Sequence, residues 1–134
     1  MQPTWMPIRW FKVQLFISGV LAVVNGRATF KVMQRLRIVN TEFALGIAPT
    51  GAGNTAVTVK KNGNAIGAAT DLQLAAAQTS VTAKPSVSSL LTGGEPVGVQ
   101  CEPGDTITVD VTSICAATAG TDGAITLLCA AIDN

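Results

Sequence analysis

Segments in which apolar and polar residues alternate recur along the chain at intervals of about ten residues, and turns that contain Gly or Pro separate them. Residues 106–111, TITVDV, show the pattern most clearly, because Ile107, Val109 and Val111 alternate with polar residues. No segment keeps a helical period over three turns. This pattern predicts an all-β protein, built as a sandwich or a barrel.

Other parts of the chain fit the same pattern. Further strands are predicted at residues 11–16, 28–32, 36–39, 43–47, 57–59, 87–91 and 124–131. Asn25-Gly26 is the strongest short-range turn signal, and we expect it to separate the first two strands. Residues 60–64, KKNGN, predict a hairpin turn with Gly where positive φ is needed. Residues 71–77, DLQLAAA, allow a helical turn, but their flanks favour a strand followed by a loop.

The first residues of the chain, 1–8, contain two prolines and Trp5 and show no periodicity. They predict an arm, so we assign residues 1–10 to an N-terminal arm and residues 11–134 to a single β-sandwich domain. Trp5 and Trp10 are large apolar groups, and a frayed terminus would leave them in water. We therefore expect the arm to dock, either on a neighbouring subunit or on its own core.

The segment that follows imitates a secretory signal peptide, because Arg9 and Lys12 precede the apolar residues 13–24. Gln14 and Ser18 interrupt this run, which is also shorter than the ~20 residues that a transmembrane helix needs. We expect it to belong to the mature structure.

The chain is poor in charge, with 13% charged and 48% hydrophobic residues, whereas a typical soluble domain has about 25% charged residues. Such a chain either lies in a membrane or covers much of its surface with partners. Six basic residues and no acidic residue precede Glu42, and three basic and eight acidic residues occur from Glu42 onward. This polarity favours docking of the N-terminal half on an acidic surface, or head-to-tail contact between copies. The alternative is that the charges only solvate the outer faces of strands.

The three cysteines, Cys101, Cys115 and Cys129, are odd in number and form no C-x-x-C motif. This argues against a disulfide framework. Their neighbours are apolar or belong to predicted strands, so we expect buried free thiols. The pattern indicates folding in a reducing compartment.

The sequence contains few candidate catalytic residues. The chain has no histidine and no tyrosine, which removes His-based triads, His proton shuttles and most zinc sites. The acids Glu95, Glu102, Asp105 and Asp110 remain as candidates for a carboxylate pair or a cation site. Glu102 and Asp105 flank a Pro-Gly turn, where Asp serves local hydrogen bonding. We therefore predict no catalytic residue, no metal and no cofactor.

A nucleic-acid surface would interleave basic and aromatic residues. The N-terminal half offers Trp5, Arg9, Trp10 and Lys12, but its tryptophans lie at the terminus and the second half of the chain is acidic. We predict neither a nucleic-acid partner nor a membrane partner.

Four motifs occur in an order that resembles the small β-sandwich module of tailed-phage capsid decoration, or cement, proteins. They are NGRATFKV at residues 25–32, LRIVNTEFALGIAPTGAGNTAVTVKKNGNAI at 36–66, EPGDTITVDV at 102–111 and AGTDGAITL at 119–127. An APTGA-type loop, a V-x-K-N-G hairpin, a PGD strand and a G-x-x-G-A loop recur together in such modules. The resemblance covers residues 16–128.

The resemblance implies a jelly-roll-like antiparallel β-sandwich with a short N-terminal arm. It also implies a structural role on the outer capsid surface of a virion, after synthesis in the host cytoplasm. Such a protein is not an enzyme; it bridges and stabilises capsid subunits, binds the major capsid protein and forms homotrimers. The alternative is a fibre or head-appendage module that binds cell-surface glycan.

The candidate contacts with the capsid or with other subunits are Trp5, Arg9, Trp10, Lys12, Lys31, Arg35 and Arg37. Lys31, Arg35 and Arg37 are expected to share one face, directed to solvent or to a partner.

Overall fold

The computed structural model describes residues 9–85 and 98–131 as an all-β protein. These ranges contain no helix, and therefore none of the length and hydrophobicity that would cross a membrane. They contain the strands β1 (Arg9–Val20), β2 (Val24–Lys31), β3 (Leu36–Ile47), β4 (Asn54–Lys61), β5 (Asn64–Ala65), β6 (Leu72–Ala75), β7 (Ser80–Ala83), β8 (Val99–Cys101), β9 (Thr106–Ser113) and β10 (Thr121–Ala131).

The strands form two antiparallel sheets. In the first sheet the order is β1-β10-β3. The short strands β7 and β8 pair with two different parts of β3, along the edge that faces away from β10. In the second sheet the order is β2-β9-β4, and β6 and β5 pair in the same way with β4. From β1 to β4 the chain alternates between the two sheets, β5 and β6 stay in the second sheet, β7 and β8 lie in the first, and β10 returns to pair with β1. This is the strand order of a jelly roll, so the predicted jelly-roll-like sandwich is confirmed.

The core lies between the two sheets and follows the predicted alternation. Ile107, Val109 and Val111 of β9 are fully buried, and so are Ile125 and Leu127 of β10. Burial of such side chains is the main driving force for packing two sheets face to face. The alternation predicted for residues 106–111 is confirmed by the burial in β9, and the strand predicted at 124–131 lies within β10.

The turn predicted at Asn25-Gly26 is wrong. The two residues lie inside β2 as a bulge, because the pairing with β9 passes from Val24↔Val111 to Ala28↔Val109. The chain instead crosses between the sheets in the residues between β1 and β2. An Asn-Gly pair marks a place that takes positive φ, and a bulge uses this property as well as a hairpin does.

The hairpin predicted at residues 60–64 is confirmed. Asn62 and Gly63 connect β4 to β5 with φ values of 50° and 85°, the two positive values of a type I′ turn. Strand β6 confirms the strand predicted within residues 71–77. Two predictions lie outside the described residues, namely the arm at residues 1–8 and the strand at 87–91. The predicted arm boundary at residue 10 is wrong, because β1 begins at Arg9 and therefore contains Arg9 and Trp10.

Candidate interaction surface

Strand β1 lies at the edge of the first sheet, where its two faces have different environments. Its inward side chains Phe11, Val13 and Leu15 are half-buried against the core. Its outward side chains Trp10, Lys12, Gln14 and Phe16 are exposed. Trp10 and Phe16 therefore place two aromatic rings on the outer face of the sheet, 50% and 65% exposed.

The surroundings of Phe16 explain its exposure. In the pairing of β1, β10 and β3, Phe16 stands opposite Ala124, which stands opposite Ala44. These side chains are too short to cover the ring. Together with Gly46 and Asp122 they form the floor of an open groove beside Phe16.

A bulge lies at the end of β1. The pairing with β10 shifts between Ile17 and Val20, Gly19 has a φ of +80°, and its N–H donates to Asp122 Oδ1 at 2.8 Å. Beyond the bulge, Val20 lies across Thr121 from Ile47, and both side chains are exposed. The alternation of β3 places Ile47 on the same face as the buried Leu45, so Val20 and Ile47 lie at the end of the sandwich and not on the outer face with Trp10 and Phe16.

We call Trp10 and Phe16 the outer apolar surface. Single exposed apolar residues are ordinary, but two exposed aromatic side chains on the outer face of one strand are typical of a surface that contacts a partner. The exposed Met33, in contrast, lies in the loop between β2 and β3.

The predicted basic contacts are dispersed. Arg9 and Lys12 lie exposed on β1 in the first sheet, whereas Lys31 lies exposed at the end of β2 in the second sheet. Trp5 lies outside the described residues. The structure therefore combines Arg9, Trp10 and Lys12 on one strand and places Lys31 elsewhere.

The expectation that Lys31, Arg35 and Arg37 share one accessible face is wrong. Arg37 is fully buried, donating from Nη1 to the Gly98 carbonyl at 3.3 Å and from Nη2 to Gln100 Oε1 at 2.9 Å. Arg35 is half-buried and its Nε lies 2.8 Å from Glu102 Oε2. The alternation around Leu36 and Ile38 indicates only that Arg37 faces away from the core. Its partners Gly98 and Gln100 lie 61 and 63 positions further along the chain, so the residues near Arg37 in the sequence do not indicate its burial.

The candidate acids serve the structure of one end of the sandwich. Hydrogen bonds from Arg35, and then from Gln100, lower the pKa of Glu102. Asp105 Oδ2 accepts from the Glu102 N–H at 2.9 Å, closing the Pro-Gly turn, and this bond together with one from Asn62 lowers the pKa of Asp105. The predicted turn role of Asp105 is confirmed.

Asp110 is a buried acid on β9. Its Oδ1 accepts from the Gly26 N–H of the β2 bulge at 2.6 Å, and its Oδ2 lies 2.7 Å from Lys60 Nζ. Burial opposes ionisation of Asp110, but the hydrogen bonds from Lys60 and Gly26 and the charge of Lys60 outweigh it and lower the pKa. Asp110 therefore joins three strands.

No three His, Cys, Asp or Glu side chains come close enough to hold a metal ion within residues 9–85 and 98–131. The fourth candidate acid, Glu95, lies outside these ranges.

All three cysteines are buried free thiols, as predicted. Burial raises the pKa of Cys101 to about 11 and that of Cys129 to about 12. Because the thiolate is the reactive form, these two thiols are poorly suited to nucleophilic chemistry.

A scan against protein-family models gives no match to this chain, and a search of curated proteins gives none either.

Proposed function

We propose that this chain is a structural virion protein, a capsid decoration protein that binds the outer shell and stabilises it by bridging capsid subunits. The observation that carries the proposal is the outer apolar surface, whose two aromatic side chains lie exposed on the outer face of the first sheet. The sequence resemblance described above names the shell as the partner. The jelly-roll strand order supports it, because capsid proteins are among the proteins that use this fold.

A shell-binding protein contributes contact area, and β1 provides suitable groups for it. Aromatic side chains are the usual anchors of protein interfaces, since one residue buries a large area. The floor of Ala44, Gly46 and Ala124 beside Phe16 lets a partner approach the sheet closely. Lys12, exposed between the two aromatic residues, adds a charge that favours an acidic partner surface and makes docking sensitive to salt.

The resemblance adds two finer parts to the proposal. The major capsid protein is the partner, and the protein binds it from the outside of the virion. The protein also associates with itself as a homotrimer, which would cover some of the exposed apolar side chains.

Replacing Trp10 and Phe16 tests the contact. We expect the double variant Trp10→Ser, Phe16→Ser to lose about tenfold or more in affinity for shells that lack the protein, because each aromatic anchor contributes on the order of 1–2 kcal/mol. The measurement is sedimentation of shells with bound protein over a range of protein concentrations.

The control is Met33→Ser, which removes a side chain that is 79% exposed but lies apart from the outer apolar surface. It should bind like the unchanged protein. Equal binding of the double variant and the control, both with unchanged circular dichroism, would reject the outer apolar surface as the shell contact.

A further inference from the structure

The free edge of β1 is a second feature of this strand, separate from its outer face. In residues 9–85 and 98–131, β10 is the one strand that pairs with β1. From Arg9↔Ala131 to Ile17↔Gly123 the pairing is regular, and the bulge begins after Ile17. Every second residue of this regular stretch directs its backbone N–H and C=O away from β10, and such an edge is a template for another strand.

We propose that β1 pairs antiparallel with β1 of a second copy of this chain, around a two-fold axis at Val13. Residues 9–17 form the regular stretch, and Val13 is its central residue. A two-fold axis there pairs the whole stretch with itself and stops before the bulge. The two copies would then share one continuous sheet.

The side chains on the outer face are complementary in this register. Trp10 faces Phe16 of the second copy, and Lys12 faces Gln14. Both contacts occur twice because of the symmetry. Cross-strand aromatic pairs are favourable, and an ammonium beside an amide carries no repulsion.

The central inward side chains are complementary as well. Phe11 faces Leu15 of the second copy, and Val13 faces Val13, whereas at each end Arg9 faces Ile17, which its own core already buries. Phe11, Val13 and Leu15 are half-buried at the edge of the core. Pairing would remove their remaining exposed area from water, which favours association.

Neighbouring registers lack these contacts. An axis at Lys12 sets two lysines opposite each other, and like charges in that position are destabilising. An axis at Gln14 sets Lys12 opposite Phe16 and Trp10 opposite Ser18, and it extends the paired stretch towards the bulge. An axis between two residues sets inward side chains opposite outward ones. The register centred on Val13 is therefore selected by the sequence of β1 itself.

The proposal does not rest on the shell-binding role, since it concerns two copies in solution, although Trp10 and Phe16 take part in both contacts. Sedimentation with shells measures shell binding and ultracentrifugation without shells measures the pairing, so the failure of one is distinguishable from the failure of the other.

The first test is cross-linking of the full chain under mild oxidation. Val13→Cys places two thiols across the axis, at a separation that a disulfide can span. Lys12→Cys is the matched control, because it is more exposed but offset from its symmetry mate. We expect Val13→Cys to form the disulfide-linked dimer at least about tenfold faster than Lys12→Cys. Equal rates, or faster linking of Lys12→Cys, would overturn the register.

The second test changes the charge opposite Lys12 on the exposed face of β1. Gln14→Lys creates two Lys–Lys contacts and should weaken association about tenfold, whereas Gln14→Glu creates two Lys–Glu contacts and should strengthen it. Both variants lose the same hydrogen bond to Thr126, so each controls for the other. The measurement is analytical ultracentrifugation at low salt. The same association constant for both variants would overturn the pairing. So would a trimer whose association constant does not change with the residue at position 14.

Discussion

Glu102 shows how a single residue holds together one end of the sandwich. Its Oε2 accepts from Arg35 Nε at 2.8 Å, and its Oε1 accepts from Gln100 Nε2 at 2.7 Å. Lys61 Nζ donates to the Gln100 carbonyl at 2.7 Å and lies 3.7 Å from Asp105 Oδ2. The network links β8 of the first sheet to β4 of the second, so its charges contribute to the packing of the two sheets.

The lowered pKa values of Glu102, Asp105 and Asp110 predict an acid-sensitive fold. A carboxyl whose folded pKa is depressed contributes its full stabilisation above its ordinary pKa of about 4, and the contribution is lost as the pH falls through the folded pKa. We expect the urea midpoint to be constant between pH 7 and about pH 5 and to decline below that. Glu102→Gln should start from a lower midpoint and decline less steeply. A midpoint that stays flat down to pH 3 would contradict this explanation.

At the residue scale, the roles that depend on neighbouring residues in the sequence could be predicted. The turn role of Asp105 followed from the adjacent Pro-Gly, and the burial of Cys129 followed from the alternation of its own strand. The burial of Arg37 could not be predicted, because Gly98 and Gln100 meet it only in the folded chain.

At the scale of elements, the β2 bulge is the feature that departs most from expectation. Gly26 has a φ of +64°, and no atom outside its chain neighbours lies within 4 Å of the position that a Cβ would take. A side chain there would meet no steric obstacle beyond its own backbone. The bulge aims the Gly26 N–H at Asp110, which lies on β9. A local pattern cannot distinguish this use of Asn-Gly from a hairpin turn, because the partner is distant in sequence.

Substitution of Gly26 tests the backbone requirement of the bulge. Gly26→Ala should cost about 1–2 kcal/mol of unfolding free energy, because an L-residue with a Cβ is strained at positive φ. Gly26→Asn should cost less, because Asn tolerates the left-handed region. Urea unfolding of both variants gives the comparison. Equal stability of Gly26→Ala and the unchanged protein would mean that the bulge relaxes without strain.

From the local pattern, the fold of the whole molecule could be predicted in class but not in strand order, and the jelly-roll order was expected from the resemblance alone. Alternation and turn spacing indicated an all-β protein. The pairing of β1 with β10 depends on contacts more than a hundred residues apart, and the pairing of β3 with β10 on contacts more than seventy residues apart. The exposed position of β1 at a sheet edge follows from that order, so the outer apolar surface could not be predicted from the local pattern. Of the residues of β1, Arg9, Trp10 and Lys12 are among the contact candidates that the sequence indicates, whereas Phe16 is not.

The copy number of this chain in purified virus particles tests the central claim most directly. A decoration protein covers the shell, so quantitative mass spectrometry should find it at a number comparable to that of the major capsid protein. A handful of copies per particle would contradict decoration and favour a fibre or head appendage, whose glycan binding would then be tested. Absence of the chain from the particles would contradict the virion role altogether.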